Sequence, residues 1–187
     1  MLNPSYDVIQ HIAYPIYQFN LDHDVDPDVI ANYIRKYRSE NPDSNSSNVL
    51  AWHSVYHTHK NTGIFDHLLK AIETQVFELC LSLDPAFDQL KIKPVVDNCW
   101  AIMYKKGDHA EWHNHGTRNC YSTVYYADVG DDTPIVFEDT WGDNLEIKPT
   151  KGMLLVFPSM ASHMVPQLSS DRERLAFAAN LVYTGTV

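Results

Sequence analysis

The stretch of sequence that decides the fold runs from Tyr104 to Gly116 and reads Tyr-Lys-Lys-Gly-Asp-His-Ala-Glu-Trp-His-Asn-His-Gly. It places His113 and His115 two positions apart in a segment predicted to be extended, so both imidazoles should lie on one face. Two histidines on one face, with a third from a distant strand, are enough to hold a metal such as iron or zinc. The candidate third ligand is His163, which begins the sequence His-Met-Val-Pro.

Length and composition favour one domain. The chain has 187 residues, of which 44% are hydrophobic, enough to bury a substantial core, and no stretch has the composition of an interdomain linker. Eleven Tyr, seven Phe and four Trp favour a fold rich in β-structure. We therefore expect a single domain over residues 1–187, with a helical part at 1–94 and a strand-rich core at 95–187.

Charge and cysteine content limit the partners and the compartment. The net charge of −10 argues against nucleic acid or an anionic membrane as the main partner, because both require clustered Lys and Arg. Cys80, Cys99 and Cys120 are widely spaced and odd in number, which is typical of free thiols. No apolar run approaches the ~20 residues of a membrane span, and the first residues lack a secretory signal pattern. The expected location is the cytoplasm.

The first half of the sequence predicts one strand and two helices. Residues 12–19 have the composition of a strand. Asp26 and Pro27 predict the start of a helix over residues 27–39, since aspartate is a preferred N-cap and proline a preferred first helical residue. An apolar stripe over residues 65–80 recurs at helical spacing. It predicts a second helix whose stripe belongs to the core.

The second half of the sequence predicts strands separated by turn residues. Seven apolar or alternating runs are recognisable, at residues 95–104, 121–128, 134–138, 144–148, 153–157, 163–167 and 174–183. Seven strands in about 90 residues favour a mainly β fold in which two sheets form a jelly roll, the double-stranded β-helix. The two helices are predicted to flank this core and to pack outside one sheet.

The order and spacing of these features resemble the iron(II)- and 2-oxoglutarate-dependent oxygenases, especially the prolyl-hydroxylase-like branch and its bacterial and phage relatives. The resemblance covers residues 95–183. It rests on five features: Tyr104-x-x-Gly107, His113 six residues later, the strand Ser122–Tyr126, Phe157-Pro158 ahead of His163-x-Val-Pro166, and Arg174 at the start of the last strand.

The resemblance implies a role for each matching residue. His113 and His163 match the two histidine ligands of the iron. Arg174 matches the basic residue that binds the far carboxylate of 2-oxoglutarate, a task that suits arginine because its planar fork can pair with a carboxylate bidentately. Tyr104 and Tyr126 resemble tyrosines that line the cosubstrate pocket, where a phenolic hydroxyl can donate to the same carboxylate.

Strand alternation supports the choice of Arg174 independently of the resemblance. Arg174 and Asn180 share one face of the predicted last strand with two alanines that leave room for a ligand, while the opposite face is apolar core. Ser122 shares a face with Tyr126 in the same way. We therefore include Ser122 and Asn180 among the predicted cosubstrate-binding residues. Arg172 is the alternative residue for the carboxylate.

The second position of the first ligand pair departs from the family's pattern. Members usually carry His-x-Asp or His-x-Glu there, the 2-His-1-carboxylate triad, whereas this chain has His115. A three-histidine centre has one more positive charge, which a dianionic keto acid would still neutralise. His109 with Glu111 is the alternative pair, although the interval from the preceding glycine to His113 favours His113 and His115. Glu111 could instead orient an imidazole, and Asp139 could approach from a neighbouring strand.

The resemblance implies an enzyme that uses Fe(II) as cofactor and 2-oxoglutarate as cosubstrate to hydroxylate a substrate, with release of succinate and carbon dioxide. One alternative is a three-histidine, cupin-like dioxygenase that needs no keto acid, against which Arg174 argues. Another is a jelly-roll binding module without catalytic activity. Two substrate classes stay open, a protein or peptide residue and a small metabolite. Strand edges in this class often pair, so a homodimer is a candidate assembly.

Three features around the predicted site are open to interpretation. The pair His57 and His59 also has His-x-His spacing but lacks a strand context, so a metal is not expected there. Residues 52–63 form either a solvated connector, which we prefer, or a cover over the mouth of the site. Trp112 and Arg118 flank the predicted ligands and are candidates for contact with the substrate.

Overall fold

The structure, a computed structural model, describes residues 7–10, 14–44, 47–138 and 144–185. The α-helices in this part of the chain are α1 (Pro27–Glu40), α2 (Thr58–Asn61) and α3 (Asp66–Leu83), and a 3-10 helix spans Pro85–Leu90. The strands of the first half are β1 (Asp7–Gln10), β2 (Pro15–Asn20), β3 (Val49–Leu50), β4 (Trp52–His53) and β5 (Ile92–Tyr104). Those that follow are β6 (His109–His113), β7 (Tyr121–Asp128), β8 (Ile135–Phe137), β9 (Leu145–Ile147), β10 (Met153–Pro158), β11 (His163–Val165) and β12 (Arg174–Gly185).

The described strands form two antiparallel sheets, as the sequence predicts. The larger sheet has seven strands in the order β1-β2-β10-β7-β12-β5-β4, and the smaller has five in the order β3-β6-β11-β8-β9. Several neighbouring strands are far apart in sequence, as where β12 lies between β5 and β7. This topology brings the ends of β5, β6, β11 and β12 to one region of the molecule.

The two faces of the larger sheet pack into different cores, as the alternation of side chains along β12 shows. Leu175 and Phe177 belong to the core that the helices cover, and the Phe177 ring lies 4.6 Å from that of Phe65 between centroids. Ala176 and Ala178 belong to the second core, between the two sheets. The prediction that α1 and α3 pack outside one sheet is therefore confirmed, and the inner face is left for a site.

The long helices follow their sequence signals. The Asp26 carboxylate accepts a hydrogen bond from the Asp28 N–H at 2.9 Å, and Pro27 is the first helical residue of α1. The apolar stripe of α3 is buried. Helix α1 ends one residue beyond the predicted range 27–39. The prediction that the apolar stripe of α3 belongs to the core is confirmed. None of the described helices is long and apolar enough to cross a membrane.

Some elements were not predicted. Strands β3 and β4 have two residues each and the helix α2 has four, too few to produce a hydrophobic period. Strand β2 begins at Pro15, and the earlier part of the predicted strand at 12–19 falls partly on residues 12–13, outside the described residues. The seven strands predicted in the second half are present, with ends that differ by a few residues, and β6 is an eighth. All three cysteines are free, as predicted.

Candidate functional site

Three histidines converge between the two sheets. Each of His113, His115 and His163 offers one ring nitrogen, and these atoms lie within 4.8 Å of one another. The ring centroids are 4.3 Å apart for His113 and His163, 5.3 Å for His113 and His115, and 5.2 Å for His115 and His163. It is the only group of three His, Cys, Asp or Glu with metal-binding spacing in the described ranges. The predicted metal-binding residues therefore lie together.

A β-bulge in β6 aims His113 at this point. His163 is the partner of His113 and Val165 the partner of Ala110, so two steps along β11 match three steps along β6. The extra residue reverses the alternation, and Ala110 and His113 both line the same cavity. The expectation that His113 and His115 share a face of one regular strand is wrong, because β6 ends at His113. Their convergence has another cause.

His115 lies in the loop after β6 and is held by contacts with other strands. Its backbone N–H donates to the Ser159 carbonyl at 2.8 Å. Its ring nitrogen Nδ1 lies 3.5 Å from Asn180 Nδ2 on β12. The next residue, Gly116, has a φ of +72° and donates its N–H to the Asn114 side chain at 3.0 Å. A turn that favours glycine thus follows His115 directly.

Backbone carbonyls orient the rings of His113 and His163 in the same way. His113 Nδ1 lies 2.7 Å from the carbonyl oxygen of Glu111, and His163 Nδ1 lies 2.9 Å from that of Ala161. A carbonyl only accepts, so each Nδ1 carries the hydrogen and each Nε2 is free to bind a metal. The Glu111 side chain is exposed and outside the histidine group. Asp139, the other carboxylate considered, lies outside the described residues.

Burial keeps the three imidazoles neutral. It lowers the pKa of His115 to about 4 and that of His163 well below 6.5, and in both cases the neighbouring imidazoles lower it further. Burial also lowers the pKa of His113. Neutral imidazole is the form that binds a metal, so at pH 7 the site needs no deprotonation before binding.

Arg174 is fully buried at the start of β12 and has one nitrogen without a partner. Its Nε donates to the Val129 carbonyl at 3.2 Å, and its Nη2 donates to Asp131 Oδ1 at 3.2 Å and to the Thr133 carbonyl. Nη1 is buried and has no hydrogen-bond partner among the residues described. A buried, charged donor of this kind requires an acceptor. A ligand carboxylate would supply it.

Asp131 balances the charge of Arg174. Burial would raise the pKa of this carboxyl, but hydrogen bonds, the strongest of them from the Thr133 backbone, lower it to about 2. The alternative arginine, Arg172, is largely exposed and lies 3.7 Å from Asp128 in a surface ion pair. Arg174 lines the cavity and Arg172 does not.

One cavity joins Arg174 to the histidines. Tyr104 and Tyr126 line it beside Arg174, and Ala176 and Ala178 form its floor along β12. Burial raises the pKa of Tyr126 to about 12 and raises that of Tyr104 as well, so both phenols stay protonated at neutral pH and can donate hydrogen bonds. The cavity thus has three histidines with metal-binding spacing and several hydrogen-bond donors in one enclosed space.

Comparison with solved structures gives the fold. A prolyl-4-hydroxylase of Pseudomonas putida matches with a TM-score of 0.65 and 20% identity over 89% of this chain and 91% of that one. A prolyl hydroxylase of Trichoplax adhaerens, solved with a peptide of hypoxia inducible factor, matches with a TM-score of 0.66 and 14% identity over 89% and 82%. The chain has the fold of the Fe(II)/2-oxoglutarate oxygenases. The predicted double-stranded β-helix is confirmed.

This oxygenase fold also occurs in an α-ketoglutarate-dependent epimerase of nogalamycin biosynthesis. That structure matches with a TM-score of 0.65 and 12% identity over 91% of this chain and 77% of that one. By sequence, no protein-family model and no curated protein matches the chain. The similarity to known proteins therefore lies in the fold and not in the sequence.

Within the oxygenase fold, Ser122 and Asn180 lie behind the cavity wall. Both are buried, and the Ser122 hydroxyl donates to Asn180 Oδ1 at 2.7 Å. Ser122 also lies 2.8 Å from the Ser159 hydroxyl, and Asn180 Nδ2 donates to Asn98 Oδ1 at 2.9 Å. Neither residue lines the cavity. Their predicted contact with the cosubstrate stays a prediction.

An aromatic group beside His115 was missed in the sequence. The Trp100 ring lies 5.6 Å from that of His115, and His53 stacks on Trp100 at 5.5 Å and 18°. Tyr56 meets the Trp100 ring at 5.1 Å, edge to face. Within residues 52–63, His53 and Tyr56 therefore pack against a wall of the site, so this part of the segment is not a solvated connector. Strand alternation places Trp100 on the same face as Tyr104, whereas nothing in the sequence singles out His53 within residues 52–63.

The second His-x-His pair contacts the outer part of β5. His57 Nδ1 lies 3.0 Å from the Asp97 carbonyl, and His59 Nδ1 lies 3.1 Å from Cys99 Sγ. Neither belongs to the histidine group of the cavity. These two contacts hold α2 against the larger sheet.

Proposed function

We propose that the protein is an Fe(II)- and 2-oxoglutarate-dependent dioxygenase that hydroxylates a C–H bond of its substrate. In this reaction 2-oxoglutarate, dioxygen and R–H give succinate, carbon dioxide and R–OH. The observation that carries the proposal is the unpartnered Nη1 of Arg174, which is buried in the cavity that holds the three histidines. A site that bound only a metal would not require a buried guanidinium.

The residues present fit the metal. His113, His115 and His163 would hold Fe(II) through neutral imidazole nitrogens, a donor type that suits iron. Bound iron would supply the dioxygen chemistry that no side chain can provide. Three protein ligands leave coordination positions open for a keto acid and dioxygen.

The residues at the other end of the cavity fit the cosubstrate. Arg174 would bind the far carboxylate through Nη1, a charge-assisted hydrogen bond, and Tyr104 and Tyr126 would donate their phenolic hydrogens to it. Apolar side chains, among them Ile102 and Phe157, complete the lining and exclude water. The protein's task is to hold the cosubstrate in one orientation and to keep the reacting atoms dry.

A protein or peptide residue is the substrate class we propose. Two large aromatic side chains beside the site are about half exposed: Tyr56, which contacts Trp100, at 45%, and Trp112, which precedes His113 in β6, at 43%. Such a surface suits a polypeptide. The indole N–H of Trp100 is buried and has no acceptor in the described part of the chain, so it is available to a substrate carbonyl. The Trichoplax prolyl hydroxylase is likewise bound to a peptide.

A second candidate is a three-histidine, cupin-like dioxygenase that uses no keto acid. The observation that favours it is the donor set, which contains three imidazoles and no carboxylate within the described ranges. Such an enzyme would consume dioxygen with its substrate alone and would not bind 2-oxoglutarate. The binding of 2-oxoglutarate therefore separates the two proposals.

The test is succinate formation from labelled 2-oxoglutarate by anaerobically iron-loaded protein after exposure to air. Wild-type protein should release succinate, His163→Ala should release none, and Arg174→Lys should need about 10- to 100-fold more 2-oxoglutarate for the same rate. Arg172→Lys is the matched control, because it makes the same change two residues away at an exposed position, and it should behave as wild type. Iron binding without 2-oxoglutarate binding would favour the cupin-like enzyme. Failure to bind either would leave a jelly-roll binding module.

A further inference from the structure

We propose that Asn180 is a positioning residue for the metal centre, which acts by holding the ring of His115 through Nδ1. The inference rests on the metal site of the proposed function and adds a residue that lies behind the cavity wall. His115 needs such a residue because it differs from the other two ligands. His113 and His163 lie on paired strands and donate Nδ1–H to backbone carbonyls, whereas His115 lies in a loop.

Four buried or half-buried side chains form a polar chain behind His115. It runs through Asn98, Asn180, Ser122 and Ser159, with contacts of 2.9, 2.7 and 2.8 Å. Ser122 and Ser159 are 1% exposed and Asn180 is 5% exposed, so water does not satisfy them. This row of polar side chains contacts His115 at two points. The Ser159 carbonyl accepts from the His115 backbone N–H, and Asn180 lies beside Nδ1 of the ring.

The chemistry of imidazole decides what Asn180 must do. A neutral ring that binds a metal through Nε2 carries its hydrogen on Nδ1 and needs an acceptor there. Asn180 carries both a carbonyl oxygen and an NH2 group, and it is the NH2 group that faces the ring, at 3.5 Å. A half-turn of the amide brings the oxygen to Nδ1 and the NH2 group to the Ser122 hydroxyl. The Asn98 amide must turn with it and give up its 3.2 Å contact with Asp97, because Asn98 Oδ1 accepts from the Asn180 NH2 group. Asn180 is thus able to serve as the acceptor when the metal is bound.

The test compares two substitutions of Asn180 by their affinity for Co(II), measured by competition with a chromophoric chelator. Asn180→Leu has no acceptor, and we expect its affinity to fall about 10- to 100-fold, the usual effect of losing such a contact. Asn180→Asp has a fixed acceptor and should bind Co(II) as tightly as wild type or more tightly. The visible spectrum of bound Co(II) should change only in Asn180→Leu.

The control is Tyr125→Phe, which removes a buried hydroxyl on the helix-facing side of the same sheet and should leave Co(II) affinity unchanged. If Asn180→Leu does not fold, as judged by melting of the metal-free protein, Asn180→Ala replaces it. Equal affinities of wild type and Asn180→Leu would overturn the inference. So would an Asn180→Asp variant that is weakened as much as Asn180→Leu. If wild-type protein binds no metal, the result would contradict the proposed function as well.

Discussion

His113 and His163 are direct partners across the antiparallel pair β6 and β11, and their rings lie 4.3 Å apart between centroids. Directly opposed side chains in such a pair start about 5 Å apart, so this pairing, in the register that the bulge in β6 sets, brings the two imidazoles together. The cost is that two imidazoles, with His115 as a third, are buried side by side. Burial of three adjacent imidazoles is stable only while the rings are uncharged.

We therefore expect the metal-free protein to lose stability as the pH falls below 6.5. The pKa values of the three histidines are lower in the folded state, so below pH 6.5 the unfolded chain binds protons that the folded chain does not. The loss should continue to about pH 4, where His115 titrates. The measurement is the urea midpoint between pH 7.5 and 4.5. His163→Leu should show a shallower slope, and parallel slopes would contradict the explanation.

Arg174→Lys should weaken 2-oxoglutarate binding to the iron-loaded protein about 10- to 100-fold, because a hydrogen bond to a charged group contributes about 1.5–3 kcal/mol. Lysine keeps the charge near Asp131 but cannot reproduce the planar fork. Anaerobic calorimetric titration measures this affinity. Fe(II) affinity should be unchanged, and a parallel loss of metal binding would show that the substitution had damaged the whole cavity.

His115→Asp should retain iron, since it restores a 2-His-1-carboxylate set, while His115→Ala should bind iron less tightly. The carboxylate removes one positive charge from the centre, so the affinity for dianionic 2-oxoglutarate should fall relative to wild type. Parallel titrations of the two variants with Fe(II) and then with 2-oxoglutarate check both expectations. An aspartate variant that binds no better than alanine would show that the loop cannot bring the shorter side chain to the metal.

Gly130→Ala should disturb the residues that hold Arg174. Gly130 lies in sequence between Val129 and Asp131, which both accept hydrogen bonds from Arg174. It has a φ of +69°, and an added Cβ would lie 2.9 Å from the Arg172 carbonyl oxygen. Gly107 is the matched control, with a φ of +86° and open space around its Cβ position.

Gly107→Ala should cost only the ~1–2 kcal/mol of a left-handed alanine. Gly130→Ala should be more destabilising and should also weaken 2-oxoglutarate binding. Thermal melting and calorimetric titration of both variants measure these effects. Equal destabilisation, with no change in binding, would show that the backbone at Gly130 moves without affecting Arg174.

The sequence predicted the sheets, the two long helices and the convergence of His113, His115 and His163, because periodicity and spacing are local properties of the chain. It did not predict how His113 and His115 come together. The bulge in β6 depends on the register with β11, and the position of His115 depends on Ser159. Both are contacts between residues far apart in sequence, which no pattern within one segment records.

The same limit applies to Ser122 and His53. Alternation put Ser122 on the inner face but could not show that its hydroxyl would bond to Asn180 rather than face the cavity. His53 lies in a two-residue strand, where no period exists, yet it packs on Trp100 at the wall of the site.

The pairing of Arg174 with Asp131 has a consequence for the order in which a metal and a keto acid would bind. The pair is neutral overall, the three imidazoles are uncharged, and the chain carries a net charge of −10. The metal-free cavity therefore has little electrostatic attraction for a dianion. A divalent cation on the histidines would supply that attraction, so we expect the metal to enter first and the keto acid to follow it.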